Sequence, residues 1–350
     1  MPPTHLSLDT LVGWLRGLPA AHELGWSADG RVLLVDLDDP RSQTAPEDLP
    51  DLHTGLAAVV VGITDHRAPL THPCAVVCDV VLARDDPAVD AILATVDRTP
   101  TASVALAMLL RGAARRAVDD GLLAESAVYS ALQSGPELAR WRAANPPRAR
   151  SPEGPPVQVD RSGDVLTITL DRPHVRNALD TAMRDALVDA LALAAADPSI
   201  VEVHLRGAGA AFCAGGDLDE FGSFPDAANA HLVRLQQSVG RAIAVVAERV
   251  TAHLHGACVG SGIELPAFAG RVLAAPDTRI SLPELSLGLV PGAGGTVSLP
   301  RRIGRWRTAR LALTGEWVDA PTALEWGLVD AIEDPAAGGV TRTGTISPIS

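Results

Sequence analysis

The chain contains no lysine: all 29 of its basic side chains are arginine. Any contact with a phosphate therefore falls to guanidinium groups or to backbone N–H groups. Acidic residues outnumber basic ones, 42 to 29, for a net charge of -13. That balance argues against a nucleic-acid groove or an anionic membrane surface, since both require a basic face. Aromatic residues make up only 3% of the chain, so the core must be built from Ala, Val and Leu. The four cysteines, Cys74, Cys78, Cys213 and Cys258, fit neither a zinc spacing nor a disulfide framework. No apolar run reaches the ~18 residues of a membrane span. The N-terminus lacks the basic start and apolar stretch of a signal peptide. These absences point to a cytoplasmic protein with no metal and no membrane or nucleic-acid partner.

What is present is enough to fold. The chain has 350 residues, 47% of them hydrophobic, which fits two domains with a substantial core. Residues 7–19 read as an amphipathic helix, capped by Ser7 or Asp9 and striped by Leu11, Leu15 and Leu18. Three Val-rich runs, 32–38, 56–64 and 75–83, read as strands covered on both faces. Residues 86–146 read as about three helices, punctuated by Pro100 and Gly135. The segment 147–156 continues a Pro-rich linker that begins at Asn145. A second α/β region starts at 157, with strands at 165–171 and 201–207 around a helix over 177–197. Residues 227–248 read as helical, 250–269 as strand, glycine turn and helix, and 271–296 as a strand and a Pro/Gly-rich turn. Further helix runs to about 327, and 338–350 read as a flexible tail.

Four features could carry chemistry. In GAGAAFCAGGDL (207–218) the AGGD turn needs glycine's freedom and can point an N–H, that of Gly216, at a ligand. In HGACVGSGIEL (255–265) the N–H groups around Ser261 would open a helix, a natural place for an oxyanion. Taken singly, Ser261-x-x-Glu264 and Ser281-x-x-Glu284 read as capping boxes. PGAGGT (291–296) reads as a turn, because it lacks the Lys and the spacing of a phosphate-binding loop. Together the readings change. Two glycine turns can supply two N–H donors to a developing enolate oxygen, and two carboxylates can move protons.

DRPHVRNALD, GAGAAFCAGGDL, HLHGACVGSGIEL and ISLPELSLGLVPGAGGT, in that order and spacing, resemble the crotonase (enoyl-CoA hydratase/isomerase) family. The resemblance covers 157 to about 334. It implies an α/β fold with a crotonase-like β-spiral core and flanking helices, a homo-oligomer (trimer or hexamer), and an acyl-CoA thioester as substrate, with CoA part of that substrate and no separate cofactor. By the same resemblance Gly216 and Ser261 are the oxyanion-hole N–H donors, and Glu264 and Glu284 the catalytic pair, with Glu284 the proton donor. Arg176, Ala178 and Leu179 are CoA contacts, and Ala214, Gly215, Asp217, Leu218 and Gly260 complete the substrate-binding set. The implied activity is enoyl-CoA hydration, a lyase reaction of fatty acid metabolism. The alternatives are an enoyl-CoA isomerase, another enolate-forming CoA enzyme of a biosynthetic pathway, or a catalytically idle CoA-binding subunit.

The chain departs from the family in one respect. After the stretch matching ALEWGLVDAIEDP (323–335) it lacks the closing helices usual in members. A segment resembling them, with the order ES…YS…GPELARW, occurs earlier. Residues 1–146 are therefore expected to form a smaller, non-catalytic α/β domain. Within it, residues 30–146 resemble a degenerate crotonase unit that retains its C-terminal helices. Residues 157–337 are expected to be the catalytic domain.

Overall fold

The computed structural model of the protein describes residues 4–17, 31–52, 56–148, 154–222, 226–334 and 339–341. Leu18, most of the expected tail and parts of the linker and of the loop before residue 227 lie outside the described residues. The described residues form two compact units. The first draws on 1–146, 224–235 and 282–316; the second on 147–223, 236–281 and 317–350. The linear division at the Pro-rich linker is thus crossed twice, because two later segments pack with the N-terminal region.

The first unit starts with β1 (Thr4–Leu6) and α1 (Leu8–Arg16), whose N-cap is Ser7: its side chain accepts the Thr10 N–H. Then come β2 (Val32–Asp36), β3 (Val59–Thr64) and β4 (Val80–Ala83), forming with β1 a four-stranded parallel sheet in sequence order. The third Val-rich run becomes a strand only from Val80. Its earlier half, Pro73–Val77, is a 3-10 turn. Four helices follow rather than three: α2 (Ala88–Arg98), α3 (Pro100–Arg111), α4 (Val118–Gln133) and α5 (Pro136–Ala144). Pro100 and Pro136 each open a helix, where the missing N–H costs nothing. In the core between sheet and helices, Arg111 pairs with Asp79 at 2.6 Å, both side chains at most 2% exposed.

The second unit starts with a hairpin, β5 (Val157–Ser162) and β6 (Val165–Leu170), followed by α6 (Thr181–Ala196) and β7 (Glu202–Gly207). β5 has no counterpart in the sequence reading; five of its six residues are exposed, so it carries little apolar signal. Residues 227–248 divide into α7 (Ala227–Gln236), which belongs to the first unit up to Leu235, and α8 (Val239–Val245) of the second. Next are β8 (Val250–Leu254), β9 (Ala257–Val259), the single turn α9 (Ser261–Glu264), β10 (Arg271–Ala274) and β11 (Arg279–Ser281). After α10 (Gly295–Thr314), which belongs to the first unit, come β12 (Val318–Asp319), α11 (Ala320–Trp326), β13 (Ala331–Asp334) and β14 (Gly339–Thr341).

These strands make a seven-stranded sheet, β14-β13-β10-β8-β7-β6-β5, and a three-stranded one, β12-β11-β9. In β6 burial alternates: Leu166, Ile168 and Leu170 are buried, whereas Thr167 and Thr169 are not. Such alternation marks a sheet packed on one face. Among the described residues no helix is long and apolar enough to cross a membrane.

Candidate active site

Three backbone segments of the second unit converge. The first is the turn after β6. Arg176 and Asn177 both adopt left-handed backbone, φ 54° and 55°, a conformation Asn tolerates better than most residues. Asn177 is fully buried. Its Nδ2 donates to the carbonyls of Ala208, Ala211 and Phe212 at 2.8, 2.9 and 3.1 Å, and its Oδ1 accepts the Arg172 N–H at 2.8 Å. The turn is then laced to the second segment: Ala214 N–H donates to Arg176 O (2.9 Å), Leu179 N–H to Gly215 O (2.8 Å) and Asp217 N–H to Leu179 O (2.8 Å).

The third segment, 256–264, pairs with the second through Cys213 N–H to Ala257 O (3.3 Å) and Val259 N–H to Cys213 O (3.0 Å). The approach is too close for side chains. A Cβ on Gly262 would sit 2.2 Å from the Cys213 carbonyl oxygen, and Gly215 holds φ 98°. On these adjacent turns the N–H groups of Gly216 and Ser261 make no hydrogen bond among the described residues. Unsatisfied amide donors on adjacent turns are the kind of group that can hold an anion. The Leu179 N–H, by contrast, is already used.

Burial pushes the Cys213 and Cys258 thiols up, so both are neutral at physiological pH and unsuited to nucleophilic work. The Ser261 hydroxyl lies 3.7 Å from the Cys213 sulfur. Glu264, 2% exposed, stands close enough that its charge adds to the upward push on Cys213. A small apolar pocket beside Ser261 is lined by Leu179, Leu187, Phe212, Val239 and Leu265 among others.

The expected Ser261-x-x-Glu264 capping box does not form. Gly260, with φ 51°, is the N-cap of α9 and has no side chain to cap with; its own N–H donates to Ser281 O at 3.0 Å. The turn Glu284–Leu287 starts from Pro283, likewise without a side-chain cap. Glu264 is therefore not held in the capping role that the spacing suggested. Glu284 belongs to the first unit and is 9% exposed.

The remaining expected site residues divide by environment. The exposed Arg176 side chain makes no polar contact among the described residues. Ala178 is half-buried and Leu218 exposed. Asp217 is buried and ion-paired with Arg172 at 3.1 Å, which also holds Asp180 at 3.1 Å. Asn177 and Arg172 escaped the sequence reading as site-builders; the available signal was an Arg and an Asn five apart around a proline turn. The turn 291–296 also has an unforeseen partner. Its N–H groups at Gly294 and Thr296 are held by the Glu125 carboxylate at 2.7 and 2.9 Å.

The enoyl-CoA hydratase/isomerase family model matches residues 160–337. The chain is similar to the 2,3-dehydroadipyl-CoA hydratase of Escherichia coli (strain K12), 36% identical over 174 residues, covering 50% of this chain and 68% of that protein. It is also similar to the mevalonyl-coenzyme A hydratase SIDH of Beauveria bassiana (strain ARSEF 2860), 33% identical over 196 residues, covering 50% of this chain and 65% of that one. A solved enoyl-CoA hydratase from Thermoplasma volcanium GSS1 aligns with TM-score 0.49 and 35% identity over 53% of this chain and 74% of its own. The chain thus spans about two thirds of the curated relatives' length.

Proposed function

The chain belongs to the enoyl-CoA hydratase/isomerase family, whose substrates are acyl-CoA thioesters, and from that premise we propose that it adds water across the α,β double bond of an enoyl-CoA. The observation that carries this reading is the pair of unsatisfied N–H groups, Gly216 and Ser261, on neighbouring turns. Water adds to Cβ only if the charge that develops on the thioester oxygen is stabilised. Two preorganised amides do this without reorganising in the transition state. The thioester oxygen accepts from both. Glu264 takes a proton from water as its oxygen bonds to Cβ, and Glu284 delivers a proton to Cα; proton exchange then resets the pair. The net change is one water added, and CoA stays on the product.

Arg176 would bind a CoA phosphate as a free guanidinium, with Ala178 and Leu179 beside it. Ala214, Gly215, Leu218 and Gly260 would line the approach to the thioester, while Asp217 would hold that turn through Arg172. The same reading carries a homotrimeric or hexameric assembly, a cytoplasmic place in fatty acid metabolism, and residues 30–146 as a reduced second unit of the same family.

Crotonyl-CoA in isotopically labelled water tests the reaction. Hydration consumes the enoyl thioester and places labelled oxygen in a 3-hydroxyacyl-CoA. A shifted double bond without label would replace the reading with isomerisation, and binding without consumption would reduce the chain to a CoA-binding subunit.

A further inference from the structure

We propose that α4, which lies outside the region matched by the family model, positions Glu284, and that the buried carboxylate of Glu125 is its polar anchor. The inference rests on the reading that Glu284 takes part in the reaction.

The segment from Glu284 to Val297 has little regular secondary structure of its own before α10. It is one 3-10 turn, Glu284–Leu287, a left-handed Gly288 (φ 79°), a Pro/Gly stretch and a left-handed Gly294 (φ 106°) that opens α10. Two glycines with positive φ flank a stretch that no strand pairs with among the described residues. A loop of this composition needs an external template to present one carboxylate in one place.

The first unit provides that template. Gly121, Glu125 and Tyr129 recur every four residues on α4 and so share one face. The loop runs antiparallel along that face and on to α5. A Cβ on Gly288 would fall 2.6 Å from the Glu137 Cβ, and one on Gly292 would fall 2.3 Å from the Tyr129 ring. Gly294 N–H and Thr296 N–H donate to Glu125 at 2.7 and 2.9 Å, and the Thr296 hydroxyl adds a third bond at 2.7 Å. A Cβ on Gly121 meets the Val297 side chain at 2.8 Å. Glu125 is 2% exposed, so its charge-assisted bonds act in a low-dielectric setting where they hold geometry firmly. Its negative charge also sits at the N-terminus of α10, which favours it. Glu125 touches no reacting atom in this scheme; it acts through the loop.

The test uses the full chain and five variants: Glu125→Gln, Thr296→Val, Glu284→Gln and the double variants Glu125→Gln/Glu284→Gln and Thr296→Val/Glu284→Gln. Displacing a catalytic carboxylate by a fraction of an ångström to an ångström lowers turnover by ~10–100-fold, so Glu125→Gln should lose about that much in kcat while KM for crotonyl-CoA stays within ~2-fold. Thr296→Val should show a smaller loss of the same kind, and it serves where Glu125→Gln does not fold. Adding Glu125→Gln, or Thr296→Val in its place, to Glu284→Gln should cost nothing further, because the residue being positioned is already disabled. An equal loss in both backgrounds, or an unchanged kcat in both Glu125→Gln and Thr296→Val, overturns the inference and leaves the role of Glu284 intact. Full turnover in Glu284→Gln overturns that role, and this inference with it.

Discussion

The Nδ2 group of Asn177 donates to the carbonyl oxygen of Phe212 at 3.1 Å, joining residues 35 positions apart in the chain. Phe212 lies four residues before Gly216, so this contact anchors the entry to the turn that presents the first amide donor. The neighbouring bonds to Ala208 and Ala211 make Asn177 a three-point brace.

Replacing Asn177 with Ala leaves buried carbonyls without their donor and places a Cβ-bearing residue less suited to φ 55°. The expected cost is about 2–4 kcal/mol of stability. Turnover per folded molecule should also fall. Urea denaturation checks the first part, and an unchanged midpoint would contradict it.

Ser261 is the first residue of α9, a position that accepts proline because its N–H has no partner within the helix. Ser261→Pro therefore removes the amide donor with little strain, and kcat should drop by ~100–1,000-fold. Ser261→Ala keeps the N–H and should retain wild-type turnover. Equal activity in the two variants would remove Ser261 from the oxyanion site.

The Arg176 guanidinium is exposed, so Arg176→Ala should leave the melting temperature unchanged. If it pairs with a CoA phosphate, KM for crotonyl-CoA rises by ~10-fold, the worth of one charge-assisted contact. With a pantetheine thioester, which lacks the nucleotide, wild type and variant should have the same KM. A difference that persists with the truncated substrate would refute the assignment.

His253 faces a ring of charge on the seven-stranded sheet. His204 lies 2.9 Å away on β7, Arg206 3.3 Å away on the same strand, and Glu333 3.7 Å away on β13. Burial first, and then the positive charges of Arg206, His204 and Arg271, pull its pKa from 6.5 to about 4. Between those values the unfolded chain binds a proton that the native chain refuses. Stability from this group therefore falls as pH drops from about 6.5 to about 4, by no more than about 3 kcal/mol, and stays flat below. His253→Gln should flatten the fall in melting temperature across that window. An identical slope in wild type and variant would show that other groups govern it.

Much of the second unit was legible in the sequence because its signals are local. β6, β7 and β8 show as alternating or Val-rich runs, α6 as a long stretch of helix formers, and the glycines at 215, 216, 260 and 262 as sites of close backbone approach. The Ser261-x-x-Glu264 pattern, which read as a cap when taken singly, is not one for a related reason. A capping box is a four-residue signal, but the start of α9 is set by Gly260 binding the carbonyl of Ser281, 21 residues away, and no local spacing reports that.

Composition and motif order by themselves determined that this chain belongs with enoyl-CoA enzymes, that its charged contacts to phosphate must be arginine, and that glycine turns hold its candidate amide donors. These are properties of residue type and near-neighbour spacing. Tertiary structure alone decided that Glu125 caps a helix 171 residues later and that Asn177 braces the 208–212 turn. It also decided that the loop carrying Glu284 lies along α4. Each depends on a buried polar group finding its partner across the fold. Burial makes such partners obligatory, and no feature of either partner's own segment reveals which one it will be.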